Sequence, residues 1–419
     1  MPHNQQIATD EQKKFRNTAK LINLATPSFQ RARNEGLMGV YGKSMKNREV
    51  LCRQDNGPDK NLVDFVRCSY LGLDNHPSIA RGAVEAIEQY GSVHWSCART
   101  RLNFSLLGDL EDELSALFQA RVTAYSTVLA ANMGALPILA SGHLTDGIKP
   151  TMVFDRLAHA TLAFHKPVVA QDTMIHTIGH NDLNALEDIC KINEKVAYIC
   201  DGVYSMGGSA PIADLLRLQD KYGLFLYIDD AHGISLYGKN GEGYARSQIA
   251  GELGSNTIIA ASLGKGFGAS GGILMLGTQE QEQIFRDFSI AHAFSASLNL
   301  AAVGAGLASA AIHHTQELPD LQQALRTNIQ LFDSMVNTEQ RNDTLPIRTV
   351  QLGSTEKAIA TGRALIDAGY YTSAIFFPTV AQEKSGLRIC PTATHTAEQI
   401  LGIGNKLNEL KQCTISSAA

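Results

Sequence analysis

From about Phe65 onward, short apolar runs rich in β-branched residues alternate with longer segments of helical periodicity. The runs TAYST (123–127), TMVFD (151–155), KVAYICD (195–201), LFLYIDD (224–230), NTIIAAS (256–262) and GGILMLG (271–277) read as strands. Segments 76–90, 108–120, 182–193 and 212–222 read as helices, with Asp182 as an N-cap and Glu85 and Glu88 on a solvated face. Repeated strand–helix units confine the chain to a mostly parallel sheet covered by helices on both faces. In such sheets ligands bind beyond the carboxyl ends of the strands. Asp201, the pair Asp229–Asp230, and Ser262 end three of the predicted strands.

The flanks of this unit read differently. Residues 1–60 are polar and glycine-broken, and are expected to form a helical arm and an irregular lead-in. Residues 61–300 hold the large α/β domain. Residues 301–419 are expected to form linking helices and a smaller α+β domain, with strands near 347–353, 370–380 and 387–392. The small-residue run LNLAAVGAGLASAAIHH (298–314) reads as a buried helix, followed by helices at 316–337, 355–369 and 396–411.

Composition narrows the class. A net charge of −5 gives no reason to expect nucleic acid or an anionic membrane as partner. No apolar run is long enough to span a bilayer, and the N-terminus lacks the apolar core of a secretory signal. Seven scattered cysteines without a CxxC pair suit a reducing cytoplasm.

Two stretches carry chemistry. FLYIDDAHG places Asp229, Asp230 and His232 at a strand end. They could be solvated acids, or metal ligands, although no further His/Asp cluster lies nearby. They could also hold a heteroaromatic ring, with a carboxylate keeping its nitrogen cationic and a histidine bonding a substituent, as pyridoxal phosphate requires. SLGKGFGASGG (262–272) sets Lys265 among five glycines. It fails the Walker pattern because Gly266 follows the lysine, and it lies too late to be a dinucleotide fingerprint. An amine with small neighbours suits a Schiff-base partner, and Ser262 can donate to a phosphate.

The motifs SYLGLDNHP (69–77), VFDRLAHATL (153–162), DGVYSMGGSAPI (201–212), IDDAHG (228–233), SLGKGFGASGG, FSASL (294–298) and LRICPTATHT (387–396) together resemble the α-oxoamine synthases, fold-type I pyridoxal-phosphate enzymes. The likeness covers roughly Tyr70 to Gly402. It implies that Lys265 attaches the cofactor and moves protons, that Asp229 pairs with the ring nitrogen, and that His232 bonds the ring hydroxyl. His159 would stack on the ring and contact the substrate carboxylate, which Arg388 would hold. Ser205 and Ser262 would contact the cofactor, and the backbone at Val128 and Leu129 its phosphate. Ser295 would reach the neighbouring subunit's phosphate, implying a homodimer with shared sites. No metal is implied. The implied reaction is a decarboxylating condensation of a small amino acid with an acyl thioester, carried on coenzyme A or an acyl carrier protein. Two other readings are an aminotransferase or other α-carbon lyase, and a non-catalytic regulatory protein that keeps the fold.

The sequence departs from the family pattern near the substrate. Arg67-Cys68-Ser69 precedes Tyr70 where asparagine is usual, Val128 replaces a common glycine, and HWSCARTRLNFSLLGDLE (94–111) lacks the usual histidine before Leu110-Glu111, with His94, Trp95, Arg99 and Arg101 appearing instead. Asn299 and Leu300 stand where proline is usual. Trp95 and Phe104 read as core rather than as an acyl channel.

Overall fold

The computed structural model describes residues 18–53 and 58–416, with side chains described as far as residue 411. Residues 1–17 of the expected arm, and Gly57, lie outside the described residues; the helix Thr18–Asn34 lies within them. The lead-in is not irregular throughout: it holds strands β1 (Gly42–Ser44) and β2 (Glu49–Cys52), and its end starts β3 (Lys60–Asp64). The central strands are β4 (Arg121–Tyr125), β5 (Thr151–Asp155), β6 (Ile175–Ile178), β7 (Val196–Asp201), β8 (Phe225–Asp229), β9 (Thr257–Ser262) and β10 (Gly272–Leu276). Four more follow: β11 (Arg348–Gln351), β12 (Tyr370–Tyr371), β13 (Ser373–Ile375) and β14 (Gly386–Ile389).

The central sheet has the order β4-β10-β9-β8-β7-β5-β6. Strands β5 to β9 pair in parallel, whereas β10 runs antiparallel to both β4 and β9. Alternation along each strand sends side chains to two cores. Val153, Tyr198, Leu226, Ile228 and Ile259 enter one; Met152, Phe154, Ile199, Phe225, Tyr227 and Ile258 enter the other. Burial on both faces explains why these strands read as continuous apolar runs. Each such fully buried side chain contributes about 1.5–3 kcal/mol relative to exposure.

The helices Pro77–Tyr90, Ser105–Phe118, Leu183–Ile192 and Ile212–Tyr222 match the predicted segments within a few residues. Asp182 caps its helix by accepting from Ala185 N. The small-residue helix Leu300–His313 packs against Pro77–Tyr90 so closely that a Cβ on Gly304 would stand 2.2 Å from Gly82 O. Phe104 is buried in the first core, and Trp95 meets it edge-on with centroids 5.7 Å apart.

One further expectation is corrected. The run 370–380 is not one strand: Tyr370–Tyr371 joins β3 in parallel, while Ser373–Ile375 pairs with β14. The lead-in strands therefore share a four-stranded sheet with a strand from the C-terminal part. Separately, an additional helix, Val128–Ala140, follows β4; it is buried on nearly every side, so it lacks the amphipathic period that reveals a surface helix.

Candidate active site

A cavity of about 310 Å³ opens at the carboxyl ends of the central strands. It is lined by Ser126, Thr127 and Val128 after β4, His159 and Thr161 after β5, and Asp201 and Val203 from β7 onward. Asp229, Ala231 and His232 at the end of β8, and Ser262, Gly264, Lys265, Ser270 and Gly271 around the β9–β10 connection, complete the lining. Parallel register sets Asp201 directly beside Asp229. Convergence of the strand ends thus collects groups that lie far apart in sequence.

Lys265 sits on a loop that leaves the sheet at Ser262 and returns at Gly272, residues paired across the β9–β10 ladder. Leu263 N donates to Gly271 O and Ala269 N to Leu263 O, closing the loop on itself. The glycines do not all face the cavity. Gly266 is buried against the protein, where a Cβ would stand 2.6 Å from Ile234 O. That glycine lets the loop pack tightly rather than loosening it, because a methyl group there would collide with backbone.

Lys265 Nζ lies 2.9 Å from His232 Nε2, and His232 Nδ1 lies 2.7 Å from Tyr70 Oη. Burial pushes the Lys265 amine below its ordinary value, with the Arg388 cation adding to the effect. Burial also pushes the His232 imidazole well below its usual range, again reinforced by the Lys265 and Arg388 cations. Asp229 accepts from Asn132 Nδ2 at 3.1 Å and from Ala231 N at 3.1 Å. Asn132 is itself held by Tyr227 Oη, which donates to its Oδ1 at 2.7 Å. Asp201 accepts from His159 N at 2.9 Å; burial and the neighbouring Asp229 carboxylate push it well above the usual carboxylate range. The adjacent Asp230 points away from the cavity. It accepts from Ala245 N, and burial pushes it up to about 8.

Six sequence-selected residues meet in the cavity: Lys265, His159, Asp229, His232, Ser262 and Val128. Four do not line it. Leu129 follows Val128 in the first turn of the helix, and Ser205 lies half-buried just beyond β7. Ser295 Oγ donates to Ala296 O at 3.5 Å, beside the exposed Phe294. Arg388 on β14 reaches the site indirectly, as Nη2 donates to Tyr70 Oη at 3.4 Å and to Cys68 Sγ at 3.2 Å. Sequence reasoning missed Asn132, Thr161 and the linking role of Tyr70. Asn132 had a signal, being the last polar residue of TVLAAN before an all-apolar stretch. Among the described residues no group of three or more His, Cys, Asp or Glu could hold a metal, and no helix is long and apolar enough to cross a membrane.

Comparison with known proteins follows the same lines. Residues 168–403 match the family model "Aminotransferase class I and II". The chain is 30% identical over 360 residues to an 8-amino-7-oxononanoate synthase of Alkaliphilus oremlandii, covering 81% of this chain and 85% of that protein. It is 27% identical to a serine palmitoyltransferase of Bacteriovorax stolpii, covering 82% and 81%. Among solved structures, a serine palmitoyltransferase from S. paucimobilis with bound PLP–myriocin aldimine superposes with a TM-score of 0.82 at 20% identity, over 95% of this chain and 99% of that one. The chain belongs to the class I and II aminotransferase family, in its α-oxoamine synthase branch.

Proposed function

We propose that this chain is a pyridoxal-phosphate-dependent acyltransferase that condenses a small amino acid with an acyl thioester, releasing carbon dioxide and leaving an α-aminoketone. The observation that carries the reading is the cluster Lys265–His232–Asp229 at the convergent strand ends, beside a helix N-terminus. The residues suit the cofactor. Val128 and Leu129 begin a helix whose first amides have no helical acceptor, a site for a phosphate group. Ser262 accepts from Gly264 N at 3.2 Å and keeps its own hydroxyl proton free to donate. Bound there, pyridoxal phosphate supplies an aldehyde for the lysine amine and a ring that stabilises negative charge at the substrate α-carbon.

The chain's own groups divide the remaining work. Asp229, fixed by Asn132 and Ala231 N, would hold a proton on the ring nitrogen. His232, held neutral by burial, would bond the ring hydroxyl without carrying charge. Lys265, with its lowered basicity, takes the α-proton of the amino acid and later returns one to the same carbon. Arg388 and His159 orient the amino-acid carboxylate; a guanidinium fork suits that planar anion. The α-carbon bonds to the thioester carbonyl carbon as thiol leaves, and the carboxylate departs as carbon dioxide. Ser205 adds a cofactor contact.

Ser295 serves the partner subunit's phosphate in a homodimer with shared sites. The exposed apolar Phe288, Ile290 and Phe294 around it supply a surface for that association. The chain divides into parts at 1–60, 61–300 and 301–419, with β3 (Lys60–Asp64) straddling the first boundary and pairing with β12 of the last part. Six free thiols among the described residues favour the cytoplasm.

The test is a panel of amino acids against acyl-coenzyme A and acyl carrier protein thioesters of several lengths. Carbon dioxide and free thiol should appear together, without a keto-acid co-substrate. Turnover that needs a keto acid and liberates no thiol would make the chain an aminotransferase instead.

A further inference from the structure

Residues 65–70 and the strand end 388–393 run side by side. Cys390 N donates to Phe65 O at 3.0 Å and Ala393 N donates to Tyr70 O at 2.8 Å. Cys68 and Cys390 lie on these two paired segments, and neither is in a disulfide. Arg388 Nη2 donates to Cys68 Sγ at 3.2 Å. Cys68 is half-buried, whereas Cys390 is fully enclosed. The hydrogen bond from Cys390, with the Arg388 and Lys265 cations, holds the Cys68 thiol well below its ordinary range. The same hydrogen bond and burial hold Cys390 well above it. A partly accessible sulfur that accepts from a guanidinium, beside an enclosed one, is the layout of an attacking and a resolving cysteine.

We infer that Cys68 and Cys390 form a redox-sensitive pair, which a hydroperoxide closes to a disulfide and which thereby retunes Arg388's grip on the amino-acid substrate. The inference rests on Arg388 holding the substrate carboxylate. The chemistry balances. Cys68 thiolate attacks a peroxide oxygen, the O–O bond breaks, and the leaving oxygen departs as hydroxide or alkoxide that takes a proton from water. Cys390 then loses its proton and attacks the Cys68 sulfur; the S–S bond forms, the S–O bond breaks, and water leaves. The two sulfurs are oxidised by two electrons and the peroxide is reduced by two.

Closure changes what Arg388 faces. An S–S bond of about 2 Å draws the Cys68 sulfur toward Cys390 and leaves it neutral. The guanidinium then loses a sulfur acceptor that competes with a substrate carboxylate. The oxidised enzyme should bind its amino acid more tightly.

The test uses reduced holoenzyme, graded hydrogen peroxide, an alkylating quench and peptide mapping. The expected result is one intramolecular Cys68–Cys390 disulfide, seen as the loss of two hydrogens and reversed by dithiothreitol, with an amino-acid KM several-fold lower. Cys390→Ser and Cys390→Ala should both abolish the disulfide and the KM change, while Cys68 advances to the sulfinic acid. Both thiols staying alkylatable, or a disulfide that leaves KM unchanged or raised, would overturn the inference. The peptide map needs no turnover, so a chain inactive with every amino acid and thioester would fail the proposed function without deciding the disulfide.

Discussion

Lys265 Nζ stands 2.9 Å from His232 Nε2, so the amine and the imidazole form one hydrogen-bonded unit that Tyr70 extends toward Arg388. The proposed proton-moving group and the proposed carboxylate-holding group are therefore linked through side chains.

Replacing the amine tests the unit most directly. Lys265→Ala should abolish covalent retention of cofactor after reduction with borohydride, together with its visible absorbance. Turnover should fall by at least the ~10²–10⁴-fold associated with a lost general base. An intact chromophore in that variant would remove Lys265 from the role.

Asn132→Ala removes a donor from Asp229 and strands the buried Tyr227 hydroxyl. Leaving buried polar groups unpaired costs about 1–3 kcal/mol. Chemical denaturation should show that loss, and cofactor titration should show weaker binding.

Gly266→Ala forces a methyl group to within 2.6 Å of Ile234 O. Overpacking of this kind costs about 1–3 kcal/mol. A lowered thermal midpoint with reduced turnover is expected; an unchanged midpoint would mean that the loop moves aside freely.

Arg388→Lys keeps the charge and loses the planar fork. The amino-acid KM should rise about tenfold or more while the thioester KM stays close to that of the parent.

The pH dependence of stability follows from buried histidines. Burial, with the Arg99 and Arg286 cations, pushes His292 down to about 3; burial pushes His313 to about 4 and His395 to about 3. A base with a depressed folded-state pKa binds fewer protons folded than unfolded. Stability is therefore lost as pH falls below the unfolded value of about 6.5, by about 1.4 kcal/mol per pH unit for each histidine. Asp230, raised to about 8, works in the opposite direction: its contribution is full below the unfolded carboxylate value and fades as pH rises through about 8. His292→Phe should flatten the acid limb of a denaturation-versus-pH curve between about 6.5 and 4 by one such increment. An unaltered slope would show that His292 titrates normally.

The central strands were legible because burial on both faces leaves an uninterrupted apolar run. β6 was not: Ile175–Ile178 is a short edge strand with exposed polar residues in its middle. The reversal of β10 was equally hidden, since GGILMLG reads the same in either direction relative to its neighbours. At the site, Lys265, Asp229 and His232 announced themselves through residue type beside strand ends. Asn132, Thr161 and Tyr70 did not, because the bonds Asn132–Thr161, Asn132–Asp229 and Tyr70–His232 span from 29 to 162 positions of sequence and exist only after folding.

The antiparallel return of β10 also bears on how this chain can vary. Gly272 pairs with Ser262 on one side and Tyr125 on the other. An insertion or deletion between Ser262 and Gly272 would have to be absorbed by the loop itself, since a one-residue slip of β10 would turn its side chains to the wrong core. Most surface connections tolerate changes in length. This one is closed by its own backbone bonds and packed against Ile234, so a change of length here would break those contacts and displace Lys265.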